Sequence, residues 1–285
     1  LLPKPGWTKL DLSKYGILKP DGSIHGRAGD PDEGTDDRGR EFNSYPAAGD
    51  ATLDMVDQVC DRIKEQKGFV NQTCGIHVHM DLARSTKAQR ENLFEWWLHM
   101  EPVFMLLVSK NRHKNGFCMP NSLGPTRPRY GALNCGAYDR HKTYEIRLHQ
   151  STLVSDDIKG WMLTLASFFD TFQDITADQN LGFKNVNERM LFFFQQCRLP
   201  MAIRKYMVRT AKKHKNWPTG LPGNTASRIP NPTFAAATLP VDFTLSQPTR
   251  PPALNAQLVS DLQDAQAWIN TMASAGLVSP PRRRP

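Results

Sequence analysis

The sequence predicts an α+β fold in which strands with one polar face pack their other face against amphipathic helices. Two short segments, residues 74–81 and 144–149, alternate apolar and ionisable side chains with the two-residue period of a strand. Several longer segments place apolar residues at helical spacing, so that each helix has one face suited to a core. The 285 residues are sufficient for one large domain or two smaller ones with a buried core.

The helices are predicted in order along the chain. The first begins with Asp50 as its N-cap and continues to about residue 66, where Gly68 ends it. A long and largely apolar helix follows over residues 85–110, with Ser85 as its N-cap. Further helices are predicted at residues 155–176, 186–197, 201–213 and 253–272.

Composition divides the chain into four predicted regions. Residues 1–40 are rich in Gly, Pro and Asp and are predicted to form loops with one short strand near residues 7–12. The core spans residues 41–178, with a Gly/Pro/Asn-rich loop at 111–128. A helical extension (179–217) precedes a proline-rich arm, short helix and basic tail (218–285).

The chain carries 36 Lys and Arg residues against 28 Asp and Glu residues, a formal net charge of +8. Such a charge favours polyanions, so the basic stretch 198–215 and the terminal arginines are open to two interpretations: a solvated helix face or a nucleic-acid contact. No apolar run reaches the roughly 20 residues that a membrane-spanning helix needs, which excludes such a span. Five cysteines without a CxxC pair favour free thiols and a reducing, cytoplasmic location.

Each of the two predicted strands carries a face of ionisable side chains. On the first strand these are His77, His79 and Asp81, and on the second they are Glu145, Arg147 and His149. Imidazole and carboxylate groups on one sheet are typical metal ligands, with oxygen ligation favouring Mg²⁺ or Mn²⁺. A nearby arginine suits the oxygens of a transferring phosphoryl group. The alternative is an ordinary amphipathic strand whose polar face is solvated.

An ordered series of motifs resembles the amidoligase family. The motifs are Asp21-Gly22-Ser23, REFNSYP at 40–46, CGIHVH at 74–79, the segment 112–118, RYGALN at 129–134 and YEIRLHQSTL at 144–153. The resemblance extends over roughly residues 21–170, more than half of the chain. The family is one of carboxylate–amine ligases with a glutamine-synthetase-like fold, and the ordered set is far more specific than any single motif.

The resemblance implies both an architecture and a reaction. The architecture is an antiparallel sheet with helices packed on one face and a concave face that holds ATP and Mg²⁺ (or Mn²⁺) ions. In the reaction, a substrate carboxylate attacks the γ-phosphate of ATP to form an acyl phosphate and ADP, and an amine then displaces phosphate to leave an amide. The acid is left open between an amino acid, a peptide and a protein side chain, as are the amine and the oligomeric state.

The resemblance also assigns catalytic and metal-binding roles. His77 matches the metal-binding histidine of the Gly–x–His–x–His segment, and Glu145 matches the metal-binding glutamate of the Glu–x–Arg strand. Glu41 matches an acidic residue on the strand before the first core helix, a further metal ligand. Arg147 matches the arginine expected on the γ-phosphate or acyl phosphate.

Three more residues are candidates for binding the nucleotide or the substrate. His79 matches the second histidine of its segment, expected near the nucleotide phosphates. Arg112 and Arg129 are candidates for contact with phosphate or substrate carboxylate. The alternative for both arginines is a solvated position in a loop.

Two positions depart from the family pattern. No Glu–x–Glu strand is found before Asp21, so either the sequence given starts after that strand or the metal site is incomplete. Ser151 occupies a position where the family usually has glycine.

Two other hypotheses stay open beside the ligase. One is a catalytically inactive scaffold whose basic tail binds a partner or nucleic acid, and the other is a metal-dependent hydrolase, since such enzymes also use His–x–His strands. The Trp96-Trp97 pair and the Phe192–Phe194 run are interpreted as helix core, and Cys74 and Cys135 as buried packing rather than nucleophiles.

Overall fold

A computed structural model describes residues 12–21, 23–24, 39–124, 128–177 and 181–216. It confirms a mixture of helices and antiparallel sheet. The described residues fall into two compact units: the first includes those from 12 to 76 and Gln150–Trp161, and the second includes those from 77 to 149 and from 162 to 216. The predicted helix at 253–272 and most of the predicted strand near 7–12 lie outside the described residues.

The first unit contains a two-stranded antiparallel ribbon that the sequence did not predict. Strands β1 (Gly16–Pro20) and β2 (Arg40–Ser44) pair from Gly16 opposite Ser44 to Pro20 opposite Arg40. The expectation that residues 1–40 form loops with one short strand near residues 7–12 is therefore wrong at β1. This strand owes its formation to pairing with β2 and to burial of Leu18 opposite Phe42, and neither contact is visible in its local pattern.

Helix α1 (Asp50–Glu65) completes the core of the first unit. Its predicted apolar face is confirmed by five buried residues, Leu53, Val56, Val59, Cys60 and Ile63. The N-cap is Gly49 with φ of 56°, which corrects the prediction of Asp50 in that role and moves Asp50 into the first turn. The N–H of Gly68 donates to the Ile63 carbonyl at 2.8 Å and so helps to end the helix.

A second sheet has three strands in the order β3 (Gly75–Asp81), β5 (Thr143–Gln150) and β4 (Leu133–Asn134). Strand β4 is antiparallel to β5. Backbone hydrogen bonds from Leu82 to Lys142 and from Ser151 to Cys74 show that β3 and β5 are also antiparallel. Strand β3 begins at Gly75 rather than at residue 74, and Asn71 forms a turn before it, in which its carboxamide oxygen accepts from the Thr73 N–H at 2.9 Å.

Helix α2 (Lys87–Leu106) is the long apolar helix that the sequence predicts. Its N-cap is Thr86, which forms a reciprocal capping box with Gln89, so the prediction of Ser85 as the cap is wrong by one residue. The Ser85 hydroxyl instead donates to the Leu82 carbonyl at 2.7 Å. Trp96 and Trp97 are buried, which confirms their interpretation as core.

The remaining helices are α3 (Ala137–His141), α4 (Ser155–Phe172), α5 (Val186–Gln196) and α6 (Met201–Lys213). The predictions for α4, α5 and α6 agree closely, whereas the short α3 was not predicted. Phe193 and Phe194 of α5 are buried, and Phe193 lies 5.8 Å, centroid to centroid, from Phe104 of α2.

All five cysteines are free thiols, as predicted. In the described part of the chain, no helix has both the length and the apolar character to cross a membrane.

Candidate functional site

The polar face of β5 is buried. Glu145 is 7% exposed, Arg147 is 8% exposed and His149 is fully enclosed. The alternative interpretation of this face as a solvated surface is therefore wrong. Burying charged groups is costly unless they are paired, so the contacts of Glu145 and Arg147 show how these buried charges are compensated.

Glu145 joins side chains from all three strands of the sheet. Its Oε1 accepts a hydrogen bond from Nη1 of Arg147 at 2.5 Å and lies 3.2 Å from Nδ1 of His77 on β3. Its Oε2 accepts from Nδ2 of Asn134 at 2.7 Å. Asn134 lies directly opposite Glu145 on β4. The structure thus brings together three predicted site residues and adds Asn134, which sequence reasoning missed although it ends the RYGALN motif.

These contacts keep Glu145 ionised. Burial by itself raises the pKa of its carboxyl, but hydrogen bonds from His77 and Asn134 and the charge of Arg147 lower that pKa to about 2. With its two oxygens engaged, Glu145 is the acceptor around which the Asn134, His77 and Arg147 side chains are fixed.

Arg147 is held on three sides. Besides the ion pair with Glu145, its Nε donates to the Phe117 carbonyl at 3.0 Å, and its guanidinium lies 5.7 Å from the centroid of the Tyr130 ring. Within the described residues its Nη2 has no hydrogen-bond partner. A buried guanidinium whose orientation is fixed and which keeps one donor edge open is suited to binding an anion.

Arg112 binds the β5 backbone at Arg147 and Leu148. It is only 3% exposed, which contradicts the alternative of a solvated loop arginine. Its Nε donates to the Leu148 carbonyl at 3.1 Å and its Nη2 to the Arg147 carbonyl at 2.7 Å. Burial lowers the pKa of Arg112, and the charge of Arg147 lowers it further. Contact of Arg112 with phosphate stays a prediction, while its observed contacts fix the β5 backbone.

The loop that contacts Arg147 is anchored by a buried carboxylate that sequence reasoning did not identify. Glu101 of α2 is 1% exposed; its Oε1 accepts from the Asn121 N–H at 2.7 Å, and its Oε2 accepts from the Ser122 N–H at 3.0 Å. The Asn121 carboxamide in turn exchanges two hydrogen bonds with the Leu133 backbone, at 2.8 and 2.9 Å. The sequence signal for Glu101 is weak: it is an acidic residue in the largely apolar second half of α2.

His79 and Arg129 lie beside this cluster without joining it. The Nδ1 atom of His79 pairs with the Thr143 hydroxyl at 2.8 Å, and its ring meets the edge of His141 at 5.8 Å. Partial burial lowers the pKa of His79, although the charge of Glu145 acts in the opposite direction. Arg129 is exposed, and its guanidinium lies 5.9 Å from the ring centroid of Tyr130.

The other candidates are placed as follows. Glu41 lies on β2 of the first unit, opposite Lys19, with intermediate exposure. Cys74 is buried. Burial raises the pKa of the Cys135 thiol to about 12, so this thiol is protonated at neutral pH. These two positions agree with the interpretation of both cysteines as packing rather than nucleophiles.

Whether a metal fits the cluster depends on its donors. In the part of the chain that the structure describes, no three His, Cys, Asp or Glu side chains are placed to hold a metal ion together. His77 and Glu145 provide one imidazole and one carboxylate, whereas Mg²⁺ prefers an octahedral set of oxygen ligands. The described cluster by itself does not form such a site. Binding of metal by Glu41, His77 and Glu145 stays a prediction.

One comparison with known proteins gave a match. Residues 19–123 match the model of a family described as "putative amidoligase enzyme". The match confirms the family resemblance over residues 19–123 and supports a ligase-type enzyme. It includes Glu41, His77, His79 and Arg112, whereas Arg129, Glu145 and Arg147 follow the matched residues. No curated protein and no solved structure matches the chain.

Proposed function

We propose that this chain, with its match to an amidoligase family, is an ATP- and Mg²⁺-dependent ligase that joins a carboxylate to an amine through an acyl phosphate. The observation that carries the proposal is the buried Arg147 guanidinium, which is oriented by Glu145 and Phe117 and whose Nη2 has no hydrogen-bond partner among the described residues. The family match supports the amide-forming reaction. A glutamine-synthetase-like core and a cytoplasmic location are part of the same proposal.

The charge balance of the cluster favours an anionic ligand. Two buried guanidinium groups, Arg112 and Arg147, accompany one ionised carboxylate, Glu145. Among the described residues, Arg112 has no carboxylate partner, so the cluster keeps a net positive charge. Positive charge fixed in a low-dielectric site stabilises the oxygens of a transferring phosphoryl group more strongly than the same charge in water.

The proposed reaction has two steps. In the first, an oxygen of the substrate carboxylate attacks the γ-phosphorus of ATP, the bond to the β–γ bridging oxygen breaks, and ADP leaves with that electron pair. In the second, the amine nitrogen attacks the acyl carbon, the carbon–oxygen bond to phosphate breaks, and the amine loses a proton. Arg147 is proposed to bind the oxygens of the transferred phosphoryl group in both steps.

The remaining residues are proposed to bind and orient the reactants. With Nδ1 of His77 facing Glu145, the Nε2 atom is the ring nitrogen that is left for substrate or metal. His79 and Arg129 are proposed to contact the nucleotide phosphates or the acid. Mg²⁺ is proposed to arrive with ATP, where it neutralises phosphate charge, and no step is assigned to a metal held by the protein alone.

The test combines nucleotide binding with trapping of the intermediate. Saturation with Mg²⁺ and a non-hydrolysable ATP analogue at 100 times Kd should stabilise the protein by about 2.7 kcal/mol in a thermal-shift titration. With ATP and a panel of carboxylic acids, hydroxylamine should convert the acyl phosphate into a hydroxamate that can be quantified.

The matched variants are Arg147→Gln and Arg140→Gln. Each removes one positive charge, but Arg140 is exposed on α3. Hydroxamate formation should fall by about 100-fold or more in Arg147→Gln and stay within about twofold in Arg140→Gln. If the wild-type chain shows neither a nucleotide-dependent shift nor hydroxamate, the ligase proposal is wrong and the scaffold hypothesis is favoured.

A further inference from the structure

Beyond the reaction class, we infer that Phe117 and Tyr130 form an aromatic platform that binds an aromatic or apolar side chain of the acid substrate, close to its carboxylate. The inference rests on the proposed function, because it uses Arg147 as the site of the phosphoryl group. It restricts the acid to one that carries a ring or a bulky apolar group within a few bonds of the reacting carboxyl.

The aromatic platform adjoins the buried guanidinium through the Tyr130 ring and the backbone of Phe117. The Phe117 and Tyr130 rings meet edge to face with their centroids 5.7 Å apart. The Phe117 carbonyl accepts from Nε of Arg147 at 3.0 Å, and the Tyr130 centroid lies 5.7 Å from the Arg147 guanidinium. Apolar surface and a fixed anion-binding group are therefore adjacent.

Phe117 is exposed although its backbone is fixed. The residue is 52% exposed, so it presents apolar surface to solvent beside the Tyr130 ring. Its N–H donates to the Asn115 side chain at 2.9 Å, and its carbonyl is held by Arg147. A half-exposed aromatic side chain on a fixed backbone, next to a buried polar group, is suited to a ligand pocket, because little backbone freedom is lost on binding.

The short separation favours the acid over the nucleobase as the occupant. In an acyl phosphate, one oxygen separates the phosphorus from the acyl carbon, so the side chain of the acid begins next to the phosphoryl group. In ATP, two further phosphates and a ribose separate the γ-phosphate from the base. Because the Tyr130 ring lies 5.7 Å from the Arg147 guanidinium and the Phe117 backbone carbonyl accepts from its Nε, the group that meets the two rings is proposed to be the acyl side chain.

The experiment compares two acids that differ by one ring. Isothermal titration measures the dissociation constants of 3-phenylpropionate and propionate for the full chain, with and without the Mg²⁺-bound ATP analogue. The wild type should bind 3-phenylpropionate about tenfold or more tightly than propionate, and Phe117→Ala should reduce this preference to less than about threefold.

Two controls separate the ring from general surface effects. Phe117→Tyr keeps the ring and should keep the preference. Leu123→Ala removes another apolar side chain that is 69% exposed near Phe117 in sequence, and it should also leave the preference unchanged. Thermal melts of all variants establish that they are folded, and Phe117→Gln replaces Phe117→Ala if that variant melts early.

Three outcomes overturn the inference. The first is equal affinity of the wild type for both acids, or no binding of 3-phenylpropionate under either condition. The second is a preference that Phe117→Ala does not change. The third is a weaker affinity of Phe117→Ala for the ATP analogue with an unchanged acid preference, which would place the nucleobase on the aromatic platform. The ligase proposal has its own test. If the chain discriminates between the two acids but forms no hydroxamate with ATP, the ligase proposal is wrong while the aromatic platform stands.

Discussion

Nη2 of Arg112 donates a hydrogen bond of 2.7 Å to the backbone carbonyl of Arg147. One buried guanidinium thus fixes the backbone of the strand residue that carries the other. The two cations are brought together although their charges repel, and Glu145 is the acidic partner of Arg147 on β5. The repulsion between the two guanidinium groups raises the free energy of the site while it holds no ligand. Binding of an anion offsets this repulsion.

We expect Arg112→Gln to destabilise the protein by about 2 kcal/mol, because the carbonyls of Leu148 and Arg147 lose buried donors. Urea denaturation gives the free energy of unfolding. Arg140→Gln, at an exposed position of α3, is the control and should change that free energy by less than about 0.5 kcal/mol. Equal stability of the two variants would show that Arg112 does not support β5.

We expect Gly16→Ala to disrupt the β1–β2 ribbon, because a Cβ at Gly16 would clash with the carbonyl oxygen of Asn43 and, at 2.8 Å, with the Phe42 ring. The cost should be about 1–3 kcal/mol in the free energy of unfolding, measured by denaturant titration. Gly116→Ala is the matched control, since a Cβ there meets nothing within 4 Å and φ is not positive. An unchanged free energy of unfolding in Gly16→Ala would contradict the observed pairing of β1 with β2.

The sequence was sufficient for the elements whose signal is local. The periodicity of α1 predicted its buried face, and the alternation in β5 placed Glu145 and Arg147 on one side. The sequence did not predict β1, because Gly16 and Pro20 give no strand signal. The conformation of β1 is decided by its pairing with β2, about twenty residues away in the chain.

The site shows the same division. Residue type and spacing identified His77, Glu145 and Arg147, because imidazole, carboxylate and guanidinium on neighbouring strands form a recognisable pattern. Burial was not predictable, since an exposed strand with the same alternation has the same sequence. Asn134 and Glu101 were missed because their roles depend on contacts with residues distant in sequence: Asn134 pairs across strands with Glu145, and Glu101 binds loop backbone twenty residues away.

We expect Glu101→Gln to loosen the loop that contacts Arg147. The Glu101 carboxylate accepts from two backbone N–H groups and from Nε1 of Trp97, whereas a carboxamide offers one oxygen and brings two donors of its own. The free energy of unfolding should fall by about 1–3 kcal/mol.

The functional readout for Glu101→Gln is the preference for 3-phenylpropionate over propionate, which should weaken because the loop that carries Phe117 loses its anchor at Asn121 and Ser122. Glu95→Gln on the same helix is the control, since Glu95 is part-exposed and, among the described residues, binds no loop backbone. If the stability falls but the acid preference is kept, Glu101 stabilises the helix without positioning the aromatic platform.

Glu145 should make the stability of the protein depend on pH in the acidic range. Its pKa falls from 4.5 to about 2 on folding, so its ionised form stabilises the folded chain above about pH 4.5, and this contribution is lost as the pH falls towards 2. A shift of this size corresponds to about 3 kcal/mol. The free energy of unfolding of the wild type and Glu145→Gln should therefore differ most near pH 6 and converge near pH 2. A difference between the two proteins that stays constant from pH 6 to pH 2 would contradict an ionised, hydrogen-bonded Glu145.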